Sequence, residues 1–302
     1  MAVSSAVSET GAPRAGRPPQ WRRHFLGTWS GVCGAFLVAV VCAMALAAPL
    51  IAPHDPLTQY PNGLSAQGAP LAPDRHFALG TDDLGRDVLS RLMYGARSSL
   101  EFSIAASAAV TGLGMLFGVT AGYYGGWFDE LLMRFTDAMF AFPFLLLVIF
   151  LLSVLRHPGI GTLILVVAAT FWPGTARVAR GETLVAKAKS FVEAERALGA
   201  SDLRILAHHV APNILAPVVV LTALRIGYLV VVESGLAYLG LGVPPPAPTW
   251  GAMIHEGQAY FEVAPWLIMA PGAALTVTVL GFNLLGDGLN AAFNPRRATR
   301  AA

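Results

Sequence analysis

An all-α polytopic membrane protein with six transmembrane helices is the fold class this sequence predicts, on three observations. Hydrophobic residues make up 55% of the chain and charged residues only 13%, with a mean hydropathy of +0.59, whereas soluble domains carry about a quarter charged residues. Apolar runs of membrane-spanning length recur along the chain. The polar segments between them share the basic residues unevenly, as membrane topology requires. The net charge of +2 does not point to nucleic acid, because the basic residues are dispersed and no basic and aromatic patch accompanies them.

In chain order, residues 1–28 combine Ala, Gly, Ser and Pro with Arg14, Arg17, Arg22 and Arg23, the composition of a disordered basic tail. Residues 29–52 contain no charged residue and form the first transmembrane helix; the run is too long for a signal-peptide core, despite the cleavage-like Ala45-Leu-Ala47. Cys33 and Cys42 fall within it, about 13 Å apart on one helix, beyond disulfide reach, and read as packing residues. Residues 53–98 are a Pro- and Gly-rich polar connection. It closes on Gly80-Thr-Asp-Asp-Leu-Gly-Arg-Asp-Val-Leu-Ser-Arg-Leu-Met-Tyr-Gly-Ala-Arg97, where Thr81 or Asp82 can cap a short amphipathic helix bearing Val88, Leu89 and Leu92.

Residues 99–290 hold the other five spans. The second, about Leu100 to Gly122, carries Gly114, Gly118 and Gly122 at four-residue spacing, which leaves a groove for a neighbouring helix. After an aromatic turn at Tyr123 to Trp127, the third runs from about Met139 to Leu155. A tight turn at residues 156–161 leads to the fourth, about Thr162 to Arg177. The fifth, about Ile214 to Leu241, contains Arg225 and Glu233. An ionisable residue inside a span is costly and faces the bundle interior or water. The two stand about two turns and 80° apart, too far to pair directly; each either lines a translocation path or anchors a partner helix. The last span runs from about Trp266 to Leu289, and residues 291–302 form a short basic tail.

Between the fourth and fifth spans lies a polar segment, residues 182–211, with readable helix punctuation. Ser190 followed by Glu193 predicts a capping box; Gly199 stands where a left-handed stop is wanted, with Arg196 in the last turn. Ser201 offers a fresh N-cap for a second short helix containing Asp202 and Arg204, and Pro212 opens the next element. The result is a helix, hinge, helix knuckle. Phe191, Ala194 and Leu198 share one face, with Glu193 and Arg196 off it. By itself such a segment fits either an interfacial helix in the headgroups or a docking element.

Glu193-Ala194, then Gly199, then Pro212 resembles the EAA loop of permease subunits in ABC-type importers. In that family the loop helix inserts into a cleft of the ATPase subunit, so the resemblance implies ATPase coupling through Glu193, Ala194, Glu195, Leu198, Gly199 and Asp202. Two positions depart from the pattern: Glu195 replaces the usual Ala, and Ala211 replaces the Leu before the proline. A carboxylate at Glu195 would want a basic partner across the interface. The segment Gly80–Arg97 is similar to a signature of the second, or C, permease subunit of the dipeptide, oligopeptide and nickel subfamily, where it lies outside the cytoplasm. Glu233-Ser-Gly-Leu-Ala-Tyr-Leu-Gly-Leu-Gly242, the Pro244 to Gly251 segment, Phe282 to Gly288 and Asn294-Pro-Arg-Arg297 resemble the same subfamily. What this implies is a MetI-like ABC importer permease fold. It also implies two ATPase subunits, a second homologous permease, an extracytoplasmic substrate-binding protein and a peptide cargo moved by alternating access. Nickel or another small solute is the alternative cargo. Outside the class, an ion-coupled secondary transporter would rely on Arg225 or Glu233 for proton coupling.

Orientation follows from charge. With a cytoplasmic N-terminus, inside segments hold 14 basic residues (Arg14, Arg17, Arg22, Arg23, Arg134, Arg177, Arg180, Lys187, Lys189, Arg196, Arg204, Arg296, Arg297 and Arg300). Outside segments hold five, Arg75, Arg86, Arg91, Arg97 and Arg156. This predicts a multi-pass inner-membrane protein with both termini and the knuckle in the cytoplasm. Absences narrow the chemistry. No Gly-Lys pair occurs, hence no phosphate loop; no zinc spacing, catalytic set or internal repeat is evident. The sequence therefore predicts no cofactor and no enzymatic activity in this chain, with ATP hydrolysed by separate subunits.

Overall fold

The computed structural model describes residues 20–155 and 159–293. Among them eleven α-helices occur and no strand, only two isolated β-bridges, Leu64 with Pro70 and Thr81 with Asp87. The helices are α1 Gln20–Gly27, α2 Trp29–Ile51, α3 Val88–Tyr124, α4 Gly126–Ala141, α5 Phe144–Leu155 and α6 Ile160–Lys187. They continue with α7 Ser190–Ala197, α8 Asp202–Ile205, α9 Ala211–Tyr238, α10 Trp250–Gly257 and α11 Trp266–Phe293. Five helices are long and apolar enough to cross a membrane, or six spans if the bent pair α4 and α5 is one.

The bundle is held by close approach of small residues. Stripe residues Gly114, Gly118 and Gly122 of α3 face α6: a Cβ on Gly118 would lie 2.3 Å from the Ala176 carbonyl oxygen and one on Gly114 2.2 Å from Thr175 Cβ. The predicted groove is thus filled by the fourth span. In apolar surroundings helices associate through such backbone-to-backbone packing rather than through water exclusion. Helix α2 lies on α11 in the same manner, with Gly34 against the Leu284 and Leu285 backbone. One apolar cluster joins Val41, Leu92, Leu100, Val230, Trp250 and Phe282; a second joins Phe102, Val110, Val148, Val166 and Leu229. Helices α3 and α9 contribute to both, so they form the spine.

Four expectations need correction. The basic tail is not structureless throughout: Gln20–Gly27 is helical and packs against α11, while residues 1–19 lie outside the described residues, as do 156–158 and 294–302. No separate amphipathic helix precedes the second span. Helix α3 starts at Val88 and runs 37 residues to Tyr124, and its N-cap is Asp87 rather than Thr81 or Asp82, accepting from the Ser90 N–H at 3.0 Å. The third span is not a straight helix from Met139. It breaks between Ala141 and Phe144 with a bend of 94°, because Pro143 lacks an N–H and forces the preceding residue out of the helical region. Phe142 accordingly has φ −91° and ψ 134°. Finally, the fourth span continues to Lys187, and the fifth is entered from Asp202 without a gap.

Candidate functional site

The knuckle is built as two short helices around a glycine stop. Gly199 has φ +81° with nothing within 4 Å of where a Cβ would stand, so glycine is needed for conformation and not for space. The Gly199 N–H donates to the Arg196 carbonyl at 3.1 Å and the Ala200 N–H to the Glu195 carbonyl at 3.0 Å, the paired bonds of a Schellman ending. The expected left-handed stop is therefore present. The capping box is not: the N-cap of α7 is Lys189, Ser190 is already inside the helix, and no side chain caps it. Glu193 is exposed and makes no hydrogen bond among the described residues. Ser201 does occupy the N-cap of α8, again without a side-chain bond.

Helix α8 is not a free-standing second helix. A π-turn over Leu206–Val210 joins it to α9, so the knuckle's second half is the end of the fifth span. The turn lies just before Pro212, where the missing N–H disrupts the regular ladder; the Asn213 side chain donates to the His209 carbonyl at 2.7 Å.

The knuckle is anchored from one side and bare on the other. Val192, Ile205, Val210 and Ile214 pack with Tyr123 and Ala186 in a small core. The Tyr123 hydroxyl donates to Asp202 Oδ1 at 2.6 Å and accepts from Arg196 at 3.3 Å, while Lys187 donates to the Tyr123 carbonyl. On the bare side Leu198 is 84% and Leu203 76% exposed, and Phe191 and Ala194 are exposed as well. The apolar face read from the helical spacing thus points away from the bundle. Within the chain, Glu195 Oε1 lies 3.4 Å from His209 Nε2 of the π-turn. No local sequence pattern marks Tyr123, Val192 and His209 as knuckle residues, and Tyr123 sits nearly seventy positions from α7.

The two ionisable residues of α9 go to different helices. Glu233 is 1% exposed and accepts from the Ser99 hydroxyl of α3 at 3.1 Å. Arg225 donates to the Thr175 hydroxyl of α6. They do not pair, as their separation predicts.

At the far end of α3 from the knuckle, the segment Gly80–Arg97 acquires a mechanism. Asp82 accepts from the Leu84 and Arg86 N–H groups at 2.9 Å and pairs with Arg86 Nε at 2.6 Å and Arg91 Nη1 at 2.8 Å. The Nη2 atoms of Arg91 and Arg86 then reach Glu256 of α10 at 2.7 and 3.1 Å. Thr81 donates to the Gly63 carbonyl at 2.5 Å and accepts from the Leu71 N–H at 2.8 Å. Trp250 of α10, fully buried, donates to the Leu92 carbonyl at 3.0 Å. Burial pushes the Glu256 carboxyl up, against the pull of Arg86, and burial together with neighbouring Asp82 pushes Asp83 up. This set of ion pairs clamps the long loop and α10 onto the start of the second span.

Comparisons with known proteins agree with this architecture. Residues 114–299 match the family described as "Binding-protein-dependent transport system inner membrane component", and residues 20–73 match "N-terminal TM domain of oligopeptide transport permease C". Proteins named glutathione transport system permease protein GsiD align over 276 residues, 91% of this chain. Those of Escherichia coli and Shigella boydii are 41% identical with 89% of their length covered, and that of Pectobacterium atrosepticum 37% identical with 90% covered. The family match spans more than half of a chain that is mostly helical among the described residues, with the small-residue packing and bent third span described above. This protein therefore belongs to the inner-membrane permease components of binding-protein-dependent ABC importers, as a subunit of the oligopeptide-permease-C type.

Proposed function

We propose that this permease, with a second homologous permease subunit, forms the membrane path for dipeptides or oligopeptides. In this reading a binding protein delivers cargo outside, two ATPase subunits close inside, and the knuckle transmits that closure to the fourth and fifth spans. Both termini and residues 182–211 are then cytoplasmic, and residues 53–98 and 243–264 outside, in line with the excess of basic residues on the knuckle side. The relatives' names speak of glutathione, a tripeptide, which favours peptide cargo over nickel.

The observation that carries the coupling role is the knuckle's two-sidedness. Leu198 and Leu203 are exposed on an element whose opposite side is anchored by Val192, Ile205 and Tyr123. Because α7 follows directly on α6 and α8 leads without a gap into α9, a push on the apolar face is passed to two spans at once. The test is Gly199→Val in the assembled complex. A β-branched residue at positive φ costs on the order of 1–3 kcal/mol, little against a bundle of spans and much against a docking contact. Normal membrane level with lost peptide uptake and weakened ATPase co-purification is the expected result. Full uptake would reduce the knuckle to an interfacial helix, and disappearance from the membrane would make Gly199 a folding residue.

A further inference from the structure

Among the described residues, Arg225 has no counter-charge. It lies midway along α9 and reaches Thr175 midway along α6, about 20 Å of helix from either end of its own span. None of the ion pairs among the described residues includes it. The other arginines of this region differ: Arg177 pairs with Asp137 and Arg180 with Asp129, both on α4. Glu233, the nearest acid on α9 itself, is turned to α3. A neutral hydroxyl is thus the one side-chain bonding partner Arg225 has among the described residues, and a guanidinium at this depth is expensive unless something answers it.

The surroundings indicate what answers it. Arg225 opens into a cleft of about 230 Å³ between the break in the third span, α6 and α9. Its walls are aromatic: Phe144 and Phe171 have ring centres 5.4 Å apart and Phe171 and Tyr228 5.8 Å, with Phe140 and Phe142 at the rim, 56% and 63% exposed. The bend at Pro143 that makes room for this cleft also brings Phe140, Phe142 and Phe144 to it. A planar cation at the base of an aromatic cleft suits a ligand with a carboxylate at one end and apolar or amide groups beside it, since guanidinium binds carboxylate through two parallel bonds. The neutral Thr175 contact is readily exchanged for such a bond.

We propose that Arg225 is a mid-membrane binding group for the C-terminal carboxylate of the transported peptide, with the Phe144, Phe171 and Tyr228 rings holding the adjoining residue. This rests on the peptide-importer reading above and narrows it to cargo with a free C-terminal carboxylate. The site is a relay point: strong enough to offset dehydration of the carboxylate, and released when the spans reorient.

The test uses the whole complex in proteoliposomes: this permease, its sister subunit, the ATPases and the binding protein. The cargoes are glutathione and its C-terminal amide, each saturating the binding protein. In the wild type, glutathione enters faster than the amide. In Arg225→Gln, glutathione uptake falls about tenfold, the size of one charge-assisted bond, amide uptake changes less than twofold, and ATP hydrolysis stimulated by the loaded binding protein persists. Arg225→Lys, which keeps the charge but not the two-bond geometry, recovers only part of the glutathione rate. Unchanged uptake in Arg225→Gln overturns the proposal. So does an equal fall for both cargoes, which marks a structural role, or loss of the co-purifying sister subunit, which marks an inter-subunit ion pair. A wild-type complex that imports neither cargo overturns the peptide reading and this proposal together.

Discussion

Tyr123 is the residue on which the knuckle hangs. Its ring is 3% exposed in the small core under α7, and its hydroxyl ties Asp202 and Arg196 together. Tyr123→Phe keeps the ring packing and removes the hydroxyl, at a cost of about 1 kcal/mol, the net worth of one hydrogen bond, because water can reach the exposed Asp202. Membrane level should be normal and uptake by the assembled complex reduced, less severely than in Gly199→Val; uptake equal to wild type would show that the hydroxyl carries no load. At the other end of α3, Arg91 is 3% exposed and joins Asp82 to Glu256. Arg91→Met would leave those carboxylates to Arg86 alone. Removing one partner of a buried pair is strongly destabilising, about 3 kcal/mol, so the purified complex should unfold at a lower temperature. An unchanged unfolding temperature would mean that water or Arg86 replaces it fully. Glu193, by contrast, has no cap to lose.

Among the elements, α3 and α6 depend on each other through the glycine stripe. Gly118→Leu puts a side chain where the Ala176 carbonyl oxygen stands 2.3 Å from the Cβ position, which forces the helices apart along their length. Protein level in the membrane should drop sharply, because a backbone atom cannot move aside as a flexible side chain can. The neighbouring Gly112, with nothing within 4 Å, provides the control: Gly112→Ala should accumulate normally. If Gly118→Leu also accumulates normally, the close packing of these two spans is not required. The bent pair α4 and α5 works in the opposite sense. Helix α5 is only 12 residues long, about 18 Å, too short to cross about 30 Å of hydrocarbon by itself. The gain is the aromatic cleft at the bend.

For the whole molecule, the topology is open to a direct measurement. Gln67 lies exposed in the loop between α2 and α3, and Ser201 is exposed in the knuckle. Single cysteines at these two positions, in a background without Cys33 and Cys42, should label from opposite sides of the membrane, Gln67→Cys from outside. Labelling of both from the same side would contradict the orientation. The ion-coupled alternative loses its motivation at this scale too. The chain belongs to the binding-protein-dependent family, and Glu233, one of the two residues that reading relied on, is closed off against Ser99.

Features that depend on local patterns are legible in the sequence. Hydropathy placed the long spans, glycine spacing marked the α3 face that α6 covers, and Gly199 marked the knuckle's stop. Each arises from neighbours within a few turns, where helix geometry is fixed by chemistry. The misreadings came where competing local options exist. Ser190 and Glu193 form a capping box only if Ser190 is the N-cap, and that place is taken one residue earlier, by Lys189. Asp202 and Leu203 look like a fresh helix because nothing local shows that a π-turn carries it into α9. Only the tertiary structure decided the rest: that Asp82, Arg86, Arg91 and Glu256 meet, that Tyr123 reaches the knuckle, that Glu195 faces His209, and that Arg225 is left without an acid. These depend on side chains brought together from distant positions, and a charge's partner is set by where the helices pack rather than by what stands beside it in the chain.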